Sequence, residues 1–265
     1  MAIPTPVSFW NLDESSGNAA DAVGSNTLTN ANTVTYSAGK IGNGAVFVAA
    51  SSQALKIANA SQNPNLAVGG ADFSLACWFK LTSFTSSDFY PLFSRYDLHE
   101  RSFRLGVYGG EGGGSSYLFN ICDSTGETST DNIQAQAFST ATWYHVAISF
   151  VFSTTTVTYY HNGSSIGTDN TTYGGAVADT SEFDLGANVY FGNYSNMQMD
   201  MAGIWNSALS AQDVSDLYNG GTGVQYPFAT PGPANLKSLD TNVKANIKSI
   251  DTNLIANVKT FDTNV

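Results

Sequence analysis

Residues 199–221 read Met-Asp-Met-Ala-Gly-Ile-Trp-Asn-Ser-Ala-Leu-Ser-Ala-Gln-Asp-Val-Ser-Asp-Leu-Tyr-Asn-Gly-Gly, and their pattern changes period once. Met199, Met201, Gly203 and Trp205 alternate with Asp200, Ala202 and Ile204, the spacing of a strand that carries apolar residues on both sides. Ser207 or Ser210 can then cap a short helix, with Asp213 in the first turn where a carboxylate suits the helix dipole. Leu209, Val214, Leu217 and Tyr218 give this segment an apolar side, and Asn219-Gly220-Gly221 stops it. Everything before this stretch reads as strands in search of a second sheet.

Working outward, residues 72–81 alternate cleanly, with Phe73, Leu75, Cys77 and Phe79 on one face and Ser74, Ala76, Trp78 and Lys80 on the other. Residues 143–152 repeat the pattern with Tyr144, Val146, Ile148, Phe150 and Phe152. Shorter strands are expected at 9–12, 45–48, 54–57, 90–95, 103–108, 117–121, 183–185 and 189–192. Residues 157–167 form a hairpin around Asn162-Gly163, the strongest short turn signal. Gly109 to Gly114 is too rich in glycine for a phosphate cradle and reads as a hairpin loop. Many short strands and one helix predict an all-β fold, a two-sheet antiparallel jelly-roll sandwich, followed by a repetitive tail.

Composition narrows the partners. The chain has 265 residues, 10 basic against 21 acidic, a net charge of −11. Residues 1–234 hold 6 basic and 18 acidic groups, so the body carries the negative charge and repels phosphate backbones. Nucleic acid is thereby a poor partner. No apolar run is long enough to span a bilayer, and the first residues, Met-Ala-Ile-Pro-Thr-Pro-Val, show no secretory signal. Cys77 and Cys122 are expected as buried free thiols rather than as a disulfide.

Six blocks, in order, carry a family resemblance: 10–24 (Trp-Asn-Leu-Asp-Glu-Ser-Ser-Gly, then Ala-Asp-Ala-Val-Gly), 39–45, 73–80, 142–147, 160–163 and 204–210. Together they resemble laminin-G-like domains of the concanavalin-A-like lectin and glucanase superfamily across about residues 7–228. The resemblance implies two curved sheets and a carbohydrate- or protein-binding role. It also implies a structural calcium ion, with Asp200 as one ligand and Asp13 or Asp21 supplying the other side, although Met201 stands where the family is usually acidic. Related glycoside hydrolases use Glu-x-Asp-x-x-Glu; here Glu182-Phe183-Asp184-Leu185-Gly186-Ala187 lacks the last carboxylate, so no catalytic residue is assigned. His145 and His161 read as structural. For glycan contact the loop-adjacent aromatics are Tyr96, Tyr108, Tyr117, Tyr173 and Tyr194.

The tail differs in composition. Residues 229–234, Ala-Thr-Pro-Gly-Pro-Ala, form a linker, and residues 235–265 hold three 11-residue repeats. Their apolar positions follow a 3-4-4 spacing, the period of a right-handed helical supercoil, while Asp-Thr-Asn in each repeat favours turns. Helical and strand-and-turn forms both stay open, and either leaves a thin apolar stripe that asks for identical copies or a partner. These repeats resemble those near the C-termini of phage structural proteins. The functional expectation is a non-enzymatic phage virion protein (capsid decoration, fibre or tail component) displaying a lectin-like head toward glycans or a host surface, homo-oligomeric through 235–265. The alternatives are a bacterial surface adhesin or filament subunit, and a glycan-cleaving enzyme of the same fold.

Overall fold

The structure is a computed structural model that describes residues 3–228 apart from 65, 67, 69, 86–87, 97–100, 110–114, 123–128 and 172–180. The expectations for the linker, the repeats, Tyr173 and most of the Gly109–Gly114 loop lie outside the described residues. In chain order the strands are β1 (Ser8–Trp10), β2 (Thr29–Ala31), β3 (Thr35–Ala38), β4 (Asn43–Phe47), β5 (Ala54–Ile57), β6 (Phe73–Leu81), β7 (Phe89–Tyr96), β8 (Arg101–Gly109) and β9 (Ser115–Cys122). They continue as β10 (Ser129–Ala135), β11 (Trp143–Val151), β12 (Thr156–His161), β13 (Ser164–Asn170), β14 (Phe183–Leu185), β15 (Ala187–Asn188), β16 (Asn193–Tyr194) and β17 (Met197–Trp205), and the helix is α1 (Ala211–Tyr218).

Two antiparallel sheets stack face to face. One runs β13-β12-β11-β6-β17-β4-β3, with β1 also paired to β17; the other runs β10-β9-β8-β7-β14-β5-β2. The alternation read from the sequence is what builds the layer between them. Phe73, Leu75, Cys77 and Phe79 of β6 and Val146, Ile148 and Phe150 of β11 meet Phe93, Phe103, Leu105, Phe119, Phe183 and Leu185 of the other sheet. The Phe73 ring touches those of Phe103 and Phe119, each at 6.1 Å. Each such buried side chain contributes about 1.5–3 kcal/mol. Cys77 is a buried free thiol in this layer, as expected.

The first sheet is also covered on its outer face. Phe9, Ala76, Trp78, Met201 and Trp205 pack there beneath Leu209 and beneath Val214 and Leu217 of α1, with Val224, Tyr226 and Phe228 closing the margin. The Trp78 and Tyr218 rings stack at 5.5 Å. This is why β17 is buried along all nine residues. The helix obeys its signals: Ser210 and Asp213 form a reciprocal capping box, and Asn219 ends the helix in the left-handed conformation. At the other hairpin, Asn162 (φ 49°) and Gly163 (φ 78°) both take positive φ, as that turn requires.

Three sequence readings are corrected. Strict alternation puts Met199 and Met201 on one side of β17, but a bulge between Asp200 and Gly203, with Met201 at φ 49°, separates them. Met199 joins the inter-sheet core and Met201 the outer cluster. Residues 189–192 are not a strand but the turn between β15 and β16. The Asp184 carboxylate accepts the Val189 N–H and the Asn188 side chain accepts that of Phe191, while Gly192 sits at φ 67°. Strands β2, β3 and β10 were missed, because their polar sequences (Thr-Asn-Ala, Thr-Tyr-Ser-Ala, Ser-Thr-Asp-Asn-Ile-Gln-Ala) are edge or near-edge strands that need little apolar patterning.

Candidate functional site

The second sheet keeps its outer face for polar groups. Register places Lys56, Asp184, Ser94, Arg104 and Asn120 side by side across β5, β14, β7, β8 and β9. Their neighbours on each strand, Leu55, Leu185, Phe93, Leu105 and Phe119, point into the core. Such a row on an otherwise apolar fold is the feature that asks for an explanation, because Ser94 and Asn120 are fully buried and Asp184 nearly so.

Asp184 is the most perturbed group. Its Oδ2 accepts the Val189 N–H at 3.0 Å, while Oδ1 is buried without a hydrogen-bond partner. Burial pushes its pKa up to about 8; the Val189 amide opposes this, the adjacent Glu182 carboxylate adds to it and Lys56 counters it. At neutral pH Asp184 is therefore a neutral acid whose Oδ1 can carry the proton and donate. Glu182 is paired with Lys56 Nζ at 3.0 Å.

Aromatic rings frame this row. Tyr96 covers the Arg104 guanidinium at 4.5 Å and meets Phe191 at 5.7 Å. Phe191 and Tyr190 form an edge-on pair at 5.2 Å on the 189–192 turn, and they are 43 % and 55 % exposed. Between Tyr96, Tyr190, Val189, Ser181, Glu182 and Asp184 lies a pocket of about 170 Å³. Beyond the Glu182–Lys56 pair a second depression of about 330 Å³ is lined by Thr27, Thr29, Lys56 and Glu182. Exposed aromatic faces beside buried hydrogen-bonding groups suit a ligand with apolar ring faces and many hydroxyls.

The tyrosines chosen from the sequence separate. Tyr96 is part of this site. Tyr108 lies half-buried on the same face of β8, opposite Phe89. Tyr194 lines a separate pocket of about 350 Å³ with Phe89, Asp88 and Asn196. Tyr117 is a correction: it is fully buried between the sheets, its hydroxyl 2.8 Å from His161 Nδ1, and no ligand reaches it. Sequence reasoning missed Tyr190 and Phe191 because a Val-Tyr-Phe-Gly run reads as a core strand. Their only sequence cue is the Asn188 and Gly192 that bracket them. His145 is buried against Trp78 at 5.3 Å and held neutral, its pKa lowered to about 3 mainly by burial.

The three aspartates proposed for calcium occupy two places. Asp21 is fully engaged by Ser8 Oγ and by the N–H groups of Phe9, Val23 and Asn26, so it clasps the N-terminal loop to β1. Asp13 and Asp200 hold the 39–44 turn: Asp13 Oδ1 accepts the Asn43 N–H at 2.8 Å, and Asp200 Oδ2 accepts those of Lys40 and Ile41 at 2.7 and 3.0 Å. Asp200 Oδ1 is buried without a partner, and burial raises its pKa to about 7, opposed by the turn amides and reinforced by Asp13. Among the described residues no three acidic, histidine or cysteine side chains gather as a metal centre.

These features place the chain among lectin-type β-sandwiches. The family profile described as the concanavalin A-like lectin/glucanases superfamily matches residues 49–215, and the chain belongs to that superfamily. No curated protein sequence matches it. Similar solved structures include domain 4 of AbnA, an extracellular GH43 arabinanase from Geobacillus stearothermophilus, in complex with arabinotriose (19 % identity, TM-score 0.60, covering 80 % of this chain and 97 % of that domain). The binding domain of Paraclostridial Mosquitocidal Protein 1 is similar at 18 % identity and TM-score 0.62, covering 80 % of this chain. The botulinum neurotoxin serotype G binding domain is similar at 11 % and 0.64, covering 81 %. The chain spans about half the length of these two toxin domains (52 % and 50 %). At such identities the likeness is one of fold. Among the described residues no helix is long and apolar enough to cross a membrane.

A neutral buried Asp184 has a pH signature. An unfolded carboxyl loses its proton near 3.8 and the folded one near 8, so stability is full below pH 4 and falls as pH rises through this window. Asp184→Asn removes that slope. Denaturant titrations from pH 4 to 8 should show the variant gaining on the wild type, with an upper bound of about 5 kcal/mol.

Proposed function

We propose that the chain is a non-enzymatic glycan-binding protein whose ligand lies on the outer face of the seven-stranded sheet. One observation carries the reading: the 189–192 turn leaves Tyr190 and Phe191 exposed beside a pocket floored by Asp184 and walled by Tyr96. Aromatic rings stack on the apolar faces of sugars, and the polar floor meets their hydroxyls. That domain 4 of an arabinanase, solved with arabinotriose, shares the fold supports it by analogy. A second reading, cleavage of a glycan, draws on Asp184, whose pKa burial pushes up to about 8, next to the carboxyl of Glu182. Against it, Glu182 is tied to Lys56 and the third position of the hydrolase pattern is the buried Ala187. Affinity electrophoresis in a panel of polysaccharides should retard the wild type and not Tyr190→Ala, with equal melting temperatures. Release of reducing sugar that Glu182→Ala abolishes would replace this reading with the second.

We further propose that this head is carried on a phage virion, held there as a homo-oligomer by residues 235–265, whose thin repeated apolar stripe calls for identical copies. A bacterial surface adhesin is the alternative. The protein should co-purify with assembled phage particles in density gradients. Recovery from the envelope of uninfected cells instead would favour the adhesin.

A structural calcium ion belongs to the same proposal. Asp200, through its unspent Oδ1, and Asp13 would hold it beside the 39–44 turn, whereas Asp21 has no oxygen to spare. Bound calcium would fix the turn against β17. Millimolar calcium should then raise the melting temperature of the wild type, by mass action on the folded state, and leave Asp200→Asn unmoved.

A further inference from the structure

The cover over the first sheet is a strap fastened at both ends. Before α1, Ser74 Oγ donates to the Ser207 carbonyl at 2.9 Å and accepts the Leu209 N–H at 2.8 Å, while Ser149 Oγ donates to the Leu209 carbonyl at 2.9 Å. After it, the Asn11 side chain clamps Tyr226, accepting its N–H at 3.0 Å and donating to its carbonyl at 2.8 Å. Between these ties α1 sits on the sheet through Val214 and Leu217, its two buried residues, and through Tyr218, whose ring stacks on Trp78. A helix of eight residues is too short to persist in water alone, so α1 depends on this seat. Under the strap lies His145, 2 % exposed, with Nδ1 buried and without a hydrogen-bond partner. Its ring stands 5.3 Å from that of Trp78 on β6 and 6.1 Å from that of Tyr218 on α1.

The charged and titratable groups around that ring give an imidazolium no bonded counter-charge. Lys40, from the 39–44 turn, lies over Trp78 at 4.4 Å, and His161 and Tyr160 stand on β12. Asp200 is one strand beyond Trp78 and holds the Lys40 and Ile41 amides. Asp213 of α1 is engaged in the cap with Ser210. We infer that α1 is an acid-released cover: when His145 takes a proton its ring must reach water, and residues 210–225 lift off the sheet while both ties hold. Burial, reinforced by His161, lowers the pKa of His145 to about 3 with the strap closed, against an ordinary value of 6.5 once it is open. The closed form is therefore fully stable above pH 6.5 and loses stability as pH falls from there toward 3. Over that range the opening equilibrium rises about tenfold per pH unit. Opening bares Ala76, Trp78, Ala147, Tyr160 and Met201, so acid uncovers an apolar surface that is hidden at neutral pH.

Hydrogen–deuterium exchange of the full chain between pH 7 and about 4.5, corrected for the intrinsic rate, tests this. Protection of the α1 amides should fall about tenfold per unit below pH 6.5, while the amides of β8 and β9 keep theirs. His145→Gln should abolish the slope. His161→Gln and Asp213→Asn should keep it. Should His145→Gln not fold, Tyr218→Ala decides, because it opens the imidazole to water without altering it. Its α1 should be poorly protected at every pH and show no slope, and a slope as steep as that of the wild type would overturn the proposal. Equal loss of protection in α1 and in β8 and β9 would mean global unfolding and overturn the strap. Loss of the slope in Asp213→Asn would assign the acid response to the helix cap instead. A pH-independent α1, or an unchanged slope in His145→Gln, would remove His145 as the trigger.

Discussion

The closing strand β17 must bury both of its faces, and the rest of the molecule is arranged around that constraint. It pairs with β1, β4 and β6, so a single strand ties the N-terminal segment, the first turn and the middle of the chain into one sheet. An ideal strand with this sequence would send Met199, Met201 and Trp205 to one side. The bulge at Asp200 and Met201 divides them, giving each side of the sheet apolar anchors. It also leaves Asp200 fully buried, where its carboxylate holds the 39–41 amides. Those amides satisfy one oxygen of this buried carboxylate, Oδ2, and in return the carboxylate orders the turn.

The two sheets divide the labour. The first is packed under α1 and the segment 224–228, its outer face holding an apolar cluster, the Trp78–Tyr218–His145 stack, and Ser74 and Ser149, which donate to the Ser207 and Leu209 carbonyls. The second presents a polar row that no helix among the described residues covers. Polar groups at 0–4 % exposure on that face, such as Ser94, Asn120 and Asp184, cost stability unless they are hydrogen-bonded. Ser94 Oγ and Asp184 Oδ1 make no such bond within the described residues. Asp184, unlike Ser94, lines the 170 Å³ pocket, and a buried group short of a partner calls for an explanation. The proposal that a ligand binds the second sheet builds on Asp184 and on the exposed aromatic turn beside it.

Much of this was legible in the residues. The alternation in β6 and β11 named the core side chains correctly, because a period of two leaves no freedom once one face is apolar. The Ser210–Asp213 box and the Asn219-Gly220-Gly221 stop gave the helix, and Asn162-Gly163 gave the hairpin, since those signals act within a few residues. The site was far less legible. Tyr96 lines the pocket beside Asp184, but Tyr117, equally loop-adjacent in sequence, turns inward because its parity on β9 matches Phe119 and Ile121. Val189 to Gly192 misled, since strong β-formers on a turn cannot be told from a strand by propensity.

The sequence by itself determined the fold class, the family, the boundaries of the long central strands and the acidic character of the head. Those depend on local periodicity, capping chemistry and composition. The tertiary structure decided where β17 bulges, and that Lys56, Asp184, Ser94, Arg104 and Asn120 share a row although they are drawn from five strands. Those are matters of register between segments up to 128 residues apart, from Lys56 to Asp184, and register is set by which faces the sheets must bury together.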